Sequence, residues 1–238
     1  MQERSIEVCL TPALINLYDL TGKIVVVIDV LRATSSICVG LANGVKEIIP
    51  VSKVEECEAY RGKGYLLSAE RDGSMVEGFD MGNSPYSYMG EEVNGKSVVM
   101  TTTNGTAALN LAKDAKEIII GAFVNLDSVC KYLSEKSEDV VLLCAGWKNK
   151  FNLEDTAFAG AVYQKLKTEF TVFCDSCVGA ETLYNLAKPN LLGFMKHSSH
   201  FKRLQRLKIE RDVDYCLTPN QWAIVPIYNP KTGAIEKR

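Results

Sequence analysis

The chain has 238 residues, with 27 lysines and arginines against 29 aspartates and glutamates and a formal net charge of −2. That balance excludes the strongly basic surface of a typical nucleic-acid binder, and two histidines, His197 and His200, exclude a His-rich metal centre. Hydrophobic residues at 47% and charged residues at 24% describe a folded protein. A chain of this length buries roughly 70% of its unfolded surface without disulfide staples.

The start, Met-Gln-Glu-Arg-Ser-Ile-Glu, has no apolar signal-type stretch. The aliphatic run Ile24–Ile28 stops at Asp29, far short of the about 20 apolar residues of a membrane helix. A cytoplasmic protein with no membrane contact is expected. Short β-branched runs recur at Ile24–Ile28, 48–51, 97–100, 118–120, Val140–Cys144 and 171–174. Helix-compatible stretches follow at 34–43, 106–113 and 155–166. Continuous apolar strands alternating with helices predict an α/β fold. We expect three α/β/α layers around a mainly parallel or mixed sheet built from repeated βαβ-like units. Lys46-Glu47-Ile48-Ile49 is matched by Lys116-Glu117-Ile118-Ile119, each after a strand and a helix candidate. Residues 1–238 therefore read as one catalytic unit, with two repeat-related lobes, about 5–125 and 126–230, as a further option.

Ligands in such sheets bind beyond the carboxyl ends of strands, with anions at the following helix start. After the first run stand Asp29, Arg32 and Thr34. The carboxylate suits Mg²⁺, and the guanidinium suits an oxyanion. The alternative is a capping acid beside a structural ion pair. Segment 62–92 is rich in glycine and carries Glu70, Arg71, Asn83 and Ser84. It reads as an ordered functional loop, with Glu70 as ligand or base and Arg71 as an anion clamp. The third strand end leads into Thr101-Thr102-Thr103-Asn104-Gly105-Thr106, a turn of hydroxyls and amides that could cradle an anion. No lysine follows Gly105, so it is not a Walker loop. After Val140–Cys144, Glu154 and Asp155 open a helix. They are either dipole-favoured first-turn acids or a second carboxylate source for Mg²⁺ with Asp29. Asp175 is a weaker candidate of the same kind. The eight cysteines are scattered, and the one CxxC, Cys174 to Cys177, reads as reduced core thiols or a redox pair. Segment 196–211 is basic and reads as a solvated helix face or as an anion-facing lid.

Taken together, Asp29-Val-Leu-Arg-Ala-Thr34, Glu70-Arg71, Gly78-Phe-Asp-Met-Gly-Asn-Ser-Pro85, Thr101 to Thr106, Glu154-Asp155 with Ala159-Gly160, and Ser199-His200 occur in the order seen in 2-phosphosulfolactate phosphatases. The chain resembles that family over roughly residues 5 to 228. The Asn-Ser-Pro and Thr-Thr-Thr-Asn-Gly-Thr stretches are the specific signals.

The resemblance implies a Mg²⁺-dependent phosphatase that hydrolyses 2-phospho-3-sulfolactate to 3-sulfolactate and phosphate, a step of coenzyme M biosynthesis. It implies Asp29, Glu70, Arg32 and Asp155 as catalytic residues, and Asp29, Glu154 and Asp155 as metal ligands. Arg32, Arg71, Asn83, Ser84, Thr103, Asn104, Gly105, Thr106 and His200 would contact the small anionic substrate. Direct water attack and an aspartyl-phosphate on Asp29 both stay open. Leu31 stands where haloacid-dehalogenase-type phosphatases carry a second Asp, although Val98 to Thr101 looks like their strand-end Thr motif. A phosphatase acting on another small acidic phosphoester, and a non-catalytic anion- or nucleotide-binding module, are the other classes. A homodimer is also left open.

Overall fold

The computed structural model of the protein describes residues 3–238. The fold is α/β, with a mixed sheet and helices on both faces, as expected. The chain runs β1 (Ser5–Cys9), β2 (Ile24–Ile28), α1 (Ala33–Ala42), β3 (Glu47–Pro50), α2 (Val54–Glu58), β4 (Leu66–Arg71), β5 (Ser74–Met75), β6 (Ser97–Thr101), α3 (Gly105–Leu111) and β7 (Glu117–Gly121). It continues through α4 (Leu126–Ser134), β8 (Val140–Cys144), α5 (Leu153–Leu166), β9 (Thr171–Val172), α6 (Asp175–Ala187), α7 (Leu191–Met195), α8 (Ser199–Arg206), α9 (Glu210–Leu217), β10 (Pro226–Asn229) and β11 (Ala234–Lys237). No helix among the described residues is long and apolar enough to cross a membrane.

The sheet order is β5-β4-β6-β3-β11-β10-β7-β2-β8-β1-β9. Two parallel blocks, β4-β6-β3 and β7-β2-β8-β1-β9, flank the β10–β11 hairpin. The hairpin is antiparallel to both neighbours, so the blocks run in opposite senses. Each matched Lys-Glu-Ile-Ile segment enters β3 or β7, and each unit crosses between blocks: β2–α1–β3 one way, β6–α3–β7 the other. A single core cluster joins Ile37 and Val39 of α1, Leu109 of α3, Val25 and Val27 of β2, and Val98 and Met100 of β6. The sheet therefore folds around α1 and α3, and the two helix starts meet where Gly105 faces Ala33.

A second cluster covers the outer face of the larger block: Ile24, Val26, Ile28, Leu142 and Cys144 pack on Phe158, Val162, Cys177 and Leu204. Strands buried on both faces explain why β2 and β8 are unbroken apolar runs. Helices α5 and α6 approach closely at Gly160, where a Cβ would overlap the Ala180 carbonyl. Gly160→Ala is expected to force α6 away at a cost of about 1–3 kcal/mol. Urea unfolding reads this as a lower midpoint at unchanged slope; an unchanged midpoint would contradict the packing.

Two expectations change. Segment 62–92 is not one loop: it holds β4, β5 and short 3₁₀ turns at Pro85–Tyr88 and Glu91–Val93. Leu67, Ser68 and Ala69 are buried, and β4 pairs with β6 as an internal strand. The run at 171–174 forms a strand only over Thr171–Val172, because Cys174 already caps α6.

Candidate active site

The carboxyl end of β2, the end of β4, the turn after β6 and the turn after β8 converge beneath α8. They enclose a narrow cleft lined by Asp29, Arg32, Glu70, Asn83, Asn104, Trp147 and His200, among others. Asp29 sits at the α1 entry: its N–H donates to Thr34 Oγ1 at 3.1 Å, and its carbonyl accepts the Thr34 N–H at 2.9 Å. Its carboxylate lies against the start of α3, where a Cβ on Gly105 would come 2.9 Å from Asp29 Oδ2. Glycine is needed there for close approach. Burial pushes the Asp29 carboxyl up to about 7; His200 opposes the shift, and Glu70 and Glu154 add to it.

Glu70 is held by the β4–β5 hairpin, where it accepts the Gly73 N–H, and by Thr103. The Thr103 N–H and hydroxyl each reach it at 3.3 Å. Arg71 is the adjoining strand residue, so its side chain takes the opposite direction. It donates to Thr101 Oγ1 at 3.0 Å and to the Glu70 carbonyl at 2.6 Å, outside the cleft lining. A loop would allow both residues into the cleft; strand alternation in β4 separates them.

Arg32 lines the cleft with its hydrogen-bonding ends engaged. Nη1 pairs with Asp212, and Nη2 donates to the Gly73 carbonyl at 2.7 Å. Ser84 is turned to the same acid, donating to Asp212 Oδ1 at 3.0 Å. Asn83 presents a buried Oδ1 with no partner. Asn104 lines the cleft while its Oδ1 accepts the Lys148 N–H at 3.0 Å. Thr106 folds back onto Thr102, to which its hydroxyl donates at 3.1 Å, and lines an adjoining apolar crevice.

Glu154 and Asp155 are both fully buried but serve differently. Asp155 Oδ1 accepts the Val30 N–H at 2.9 Å, and Oδ2 accepts the Gly146 N–H at 3.0 Å and Asn152 Nδ2 at 2.9 Å. It clamps the turns after β2 and β8, with both oxygens engaged by these three donors. Burial, with Asp29 and Glu154 nearby, pushes its carboxyl well above the usual range, against the Val30 and Asn152 hydrogen bonds. Glu154 Oε1 pairs with His200 Nδ1, and Glu154 Oε2 is buried without a partner. Asp175 opens α6 beyond β9 and does not line the cleft.

The basic segment resolves into α8 and the start of α9, not one helix. His200, Phe201 and Leu204 are buried, and Lys202, Gln205 and Arg206 face outward. His200 packs on Trp147 at 5.5 Å between ring centroids. Arg203, one turn on, lies 3.4 Å over the Trp147 ring with Nε and Nη2 buried and unpartnered. Burial lowers its pKa, and the carboxylates of Glu154, Asp72 and Glu70 oppose that. Sequence reasoning missed Arg203, Trp147, Asp212 and Asn152. For Arg203 the three-residue spacing from His200 on a helix was the available signal.

Among the described residues no three His, Cys, Asp or Glu side chains form a ready-made metal cage. Mg²⁺ does not require one, since it usually keeps several waters and takes one or two carboxylates with substrate phosphate. Asp29 and Glu70 are the carboxylates in the cleft lining, and Asn83 Oδ1 and Glu154 Oε2 are buried hard oxygens without a partner. A wider groove, lined by Lys116, Glu117, Tyr228 and Arg238 among others, lies at the amino end of β7. Its Glu117 is engaged by Tyr132 at 2.8 Å, and the groove stands away from the strand carboxyl ends where ligands bind.

The sequence profile of the family described as 2-phosphosulpholactate phosphatase matches residues 9–231. A protein of Caldanaerobacter subterraneus subsp. tengcongensis named "Probable 2-phosphosulfolactate phosphatase" is 44% identical over 219 residues, 89% of this chain and 90% of that protein. A protein of the same name from Thermotoga petrophila is 43% identical over 201 residues, 84% of this chain and 87% of its own. One from Clostridium tetani is 39% identical over 218 residues, 90% and 92% of the two chains.

Proposed function

The chain belongs to the 2-phosphosulfolactate phosphatase family, and from that premise we propose that it is a cytoplasmic, Mg²⁺-dependent hydrolase converting 2-phospho-3-sulfolactate to 3-sulfolactate and phosphate. The observation that carries the reading is the buried Asp29–Glu70 pair facing one cleft at the strand carboxyl ends. A pure anion sensor has no use for carboxylates there. Phosphate release from phosphosulfolactate and a panel of phosphorylated hydroxy acids tests it. Phosphosulfolactate is expected to give the highest kcat/KM. A higher value for another small acidic phosphoester supports the same chemistry on another substrate, and saturable binding without turnover supports a sensor.

Asp29 and Glu70, with Asn83 Oδ1 in the same cleft lining, are the residues that fit Mg²⁺, and Glu154 Oε2 is a further unpartnered oxygen on the acid that holds His200. The ion supplies charge neutralisation and polarisation of the phosphoryl group. Asp155 acts as a positioning residue through Val30 and Gly146. Thr103 orients Glu70, the group suited to positioning water. Glu154 fixes the His200 ring by accepting from Nδ1, which leaves Nε2 for the leaving oxygen or an anionic contact. Arg32 adds charge to the wall while Asp212 and Gly73 hold it. Trp147, Leu31 and Leu204 supply the apolar part of the cleft wall.

The substrate carries a carboxylate and a sulfonate besides the phosphate, and Arg203 stacks on Trp147 of the cleft lining with two guanidinium nitrogens unpartnered. Arg203→Ala is expected to raise KM by about tenfold or more, the worth of one charge-assisted hydrogen bond. The change in kcat should stay within about threefold, as for binding shared by ground and transition states. Steady-state kinetics separates the two, and a fall confined to kcat would remove Arg203 from substrate binding.

A further inference from the structure

The CxxC pair lies outside this cleft. Strand β9 is separated from β8 by β1, which places the pair roughly 10 Å along the sheet edge from the turn carrying Trp147. Cys174 and Cys177 are free thiols with their sulfurs 3.4 Å apart. Cys174 caps the 13-residue helix α6 and is partly exposed, whereas Cys177 is fully buried. The Ser176 hydroxyl reaches Cys174 Sγ at 3.1 Å and Val8 O at 2.7 Å, and the Tyr18 hydroxyl donates to the same carbonyl at 2.9 Å. Phe173 and Val178 stand exposed on either side. The other six cysteines are buried free thiols.

This is an asymmetric pair: one sulfur open to a reagent, the second held behind it within reach. The local hydrogen bonds point the same way. Cys177 and Ser176 lower the Cys174 thiol to about 5, while Cys174 and burial push the Cys177 thiol up.

We propose that Cys174 and Cys177 form a thiol–disulfide exchange site, with Cys174 the attacking sulfur, Cys177 the resolving sulfur and a small-molecule disulfide the co-reactant. The Cys174 Sγ thiolate attacks one sulfur of the reagent RS–SR; that S–S bond breaks, and one RS⁻ leaves and takes a proton from solvent. Cys177 Sγ then attacks Cys174 Sγ, breaks the mixed disulfide and releases the second thiolate, which takes up the Cys177 proton. Two protein thiols are oxidised, and one disulfide is reduced to two thiols.

The test uses the full-length protein and oxidised glutathione, with peptide mass spectrometry. Wild type is expected to yield a linked Cys174–Cys177 peptide lacking the two thiol hydrogens, with no stable glutathione adduct. Cys177→Ala is expected to retain one glutathione on Cys174, and Cys174→Ala to leave Cys177 unmodified. Iodoacetamide labelling of unaltered, folded wild type checks the attacking sulfur without any variant. Cys174 should react at least about tenfold faster than any other cysteine, as exposure and thiolate character dictate. Absence of the linked peptide, a Cys177 adduct in Cys174→Ala, or preferential labelling of another cysteine overturns the proposal. Because the pair is outside the cleft, each result is read independently of phosphatase activity.

Discussion

Asp29→Asn is expected to lower kcat by about 10³-fold while making the metal-free protein more stable above neutral pH. Loss of activity follows from removing a carboxylate that metal and phosphoryl group both need. The stability gain follows from burial. The folded Asp29 carboxyl is raised to about 7 from its ordinary 3.8. A raised value means that the folded state favours the proton. That stabilisation is complete below about pH 4 and is lost as pH rises through about 7. At pH 8 wild type must hold a buried negative charge that Asn lacks, worth on the order of 4 kcal/mol. Thermal unfolding should show the Asn variant melting higher than wild type at pH 8 and about equally at pH 4. Mg²⁺ should raise the wild-type melting point most at high pH and leave the variant's nearly unchanged. A variant that retains activity within tenfold, or melts lower at pH 8, contradicts the role given to Asp29.

Asp155→Ala is expected to cost stability as well as activity. Its two oxygens receive the backbone N–H groups of Val30 and Gly146, which lie in turns after neighbouring strands. Deleting the carboxylate leaves two buried donors without acceptors, at about 1–3 kcal/mol each. The partial relief of repulsion on Asp29 and Glu154 reduces the net loss, so about 2–4 kcal/mol is expected from urea unfolding. Because Val30 adjoins Asp29, the loosened turn should lower kcat as well. Retained stability with lost Mg²⁺ affinity would instead restore Asp155 to the metal ligands.

The contrast between these two acids shows where sequence reading ends. Asp29 closes an apolar strand, and such a charge at a strand's carboxyl end is legible as functional. Glu70, Asn83, Asn104 and His200 were legible too and line the same cleft. Strands β2 and β8 were readable because burial on both faces makes them continuously apolar. Strand β4 was hidden by the glycines around it, and with it the alternation that turns Arg71 away from Glu70. Glu154 and Asp155 are neighbours on one helix start; only three-dimensional hydrogen bonding shows that one holds backbone turns and the other a histidine. The crossing of both strand–helix–strand units between blocks depends on the β10–β11 hairpin, contributed by the far end of the chain. No local pattern announces that insertion. Arg203 was submerged in a basic stretch whose other cations face outward.

The most direct test of the site is a crystal structure with Mg²⁺ and 3-sulfolactate. The metal is expected on Asp29 and Glu70, with an anionic group of the ligand on Arg203 beside Trp147. A ligand bound instead in the Lys116–Arg238 groove, or a metal held by Asp155 away from Glu70, would contradict this account.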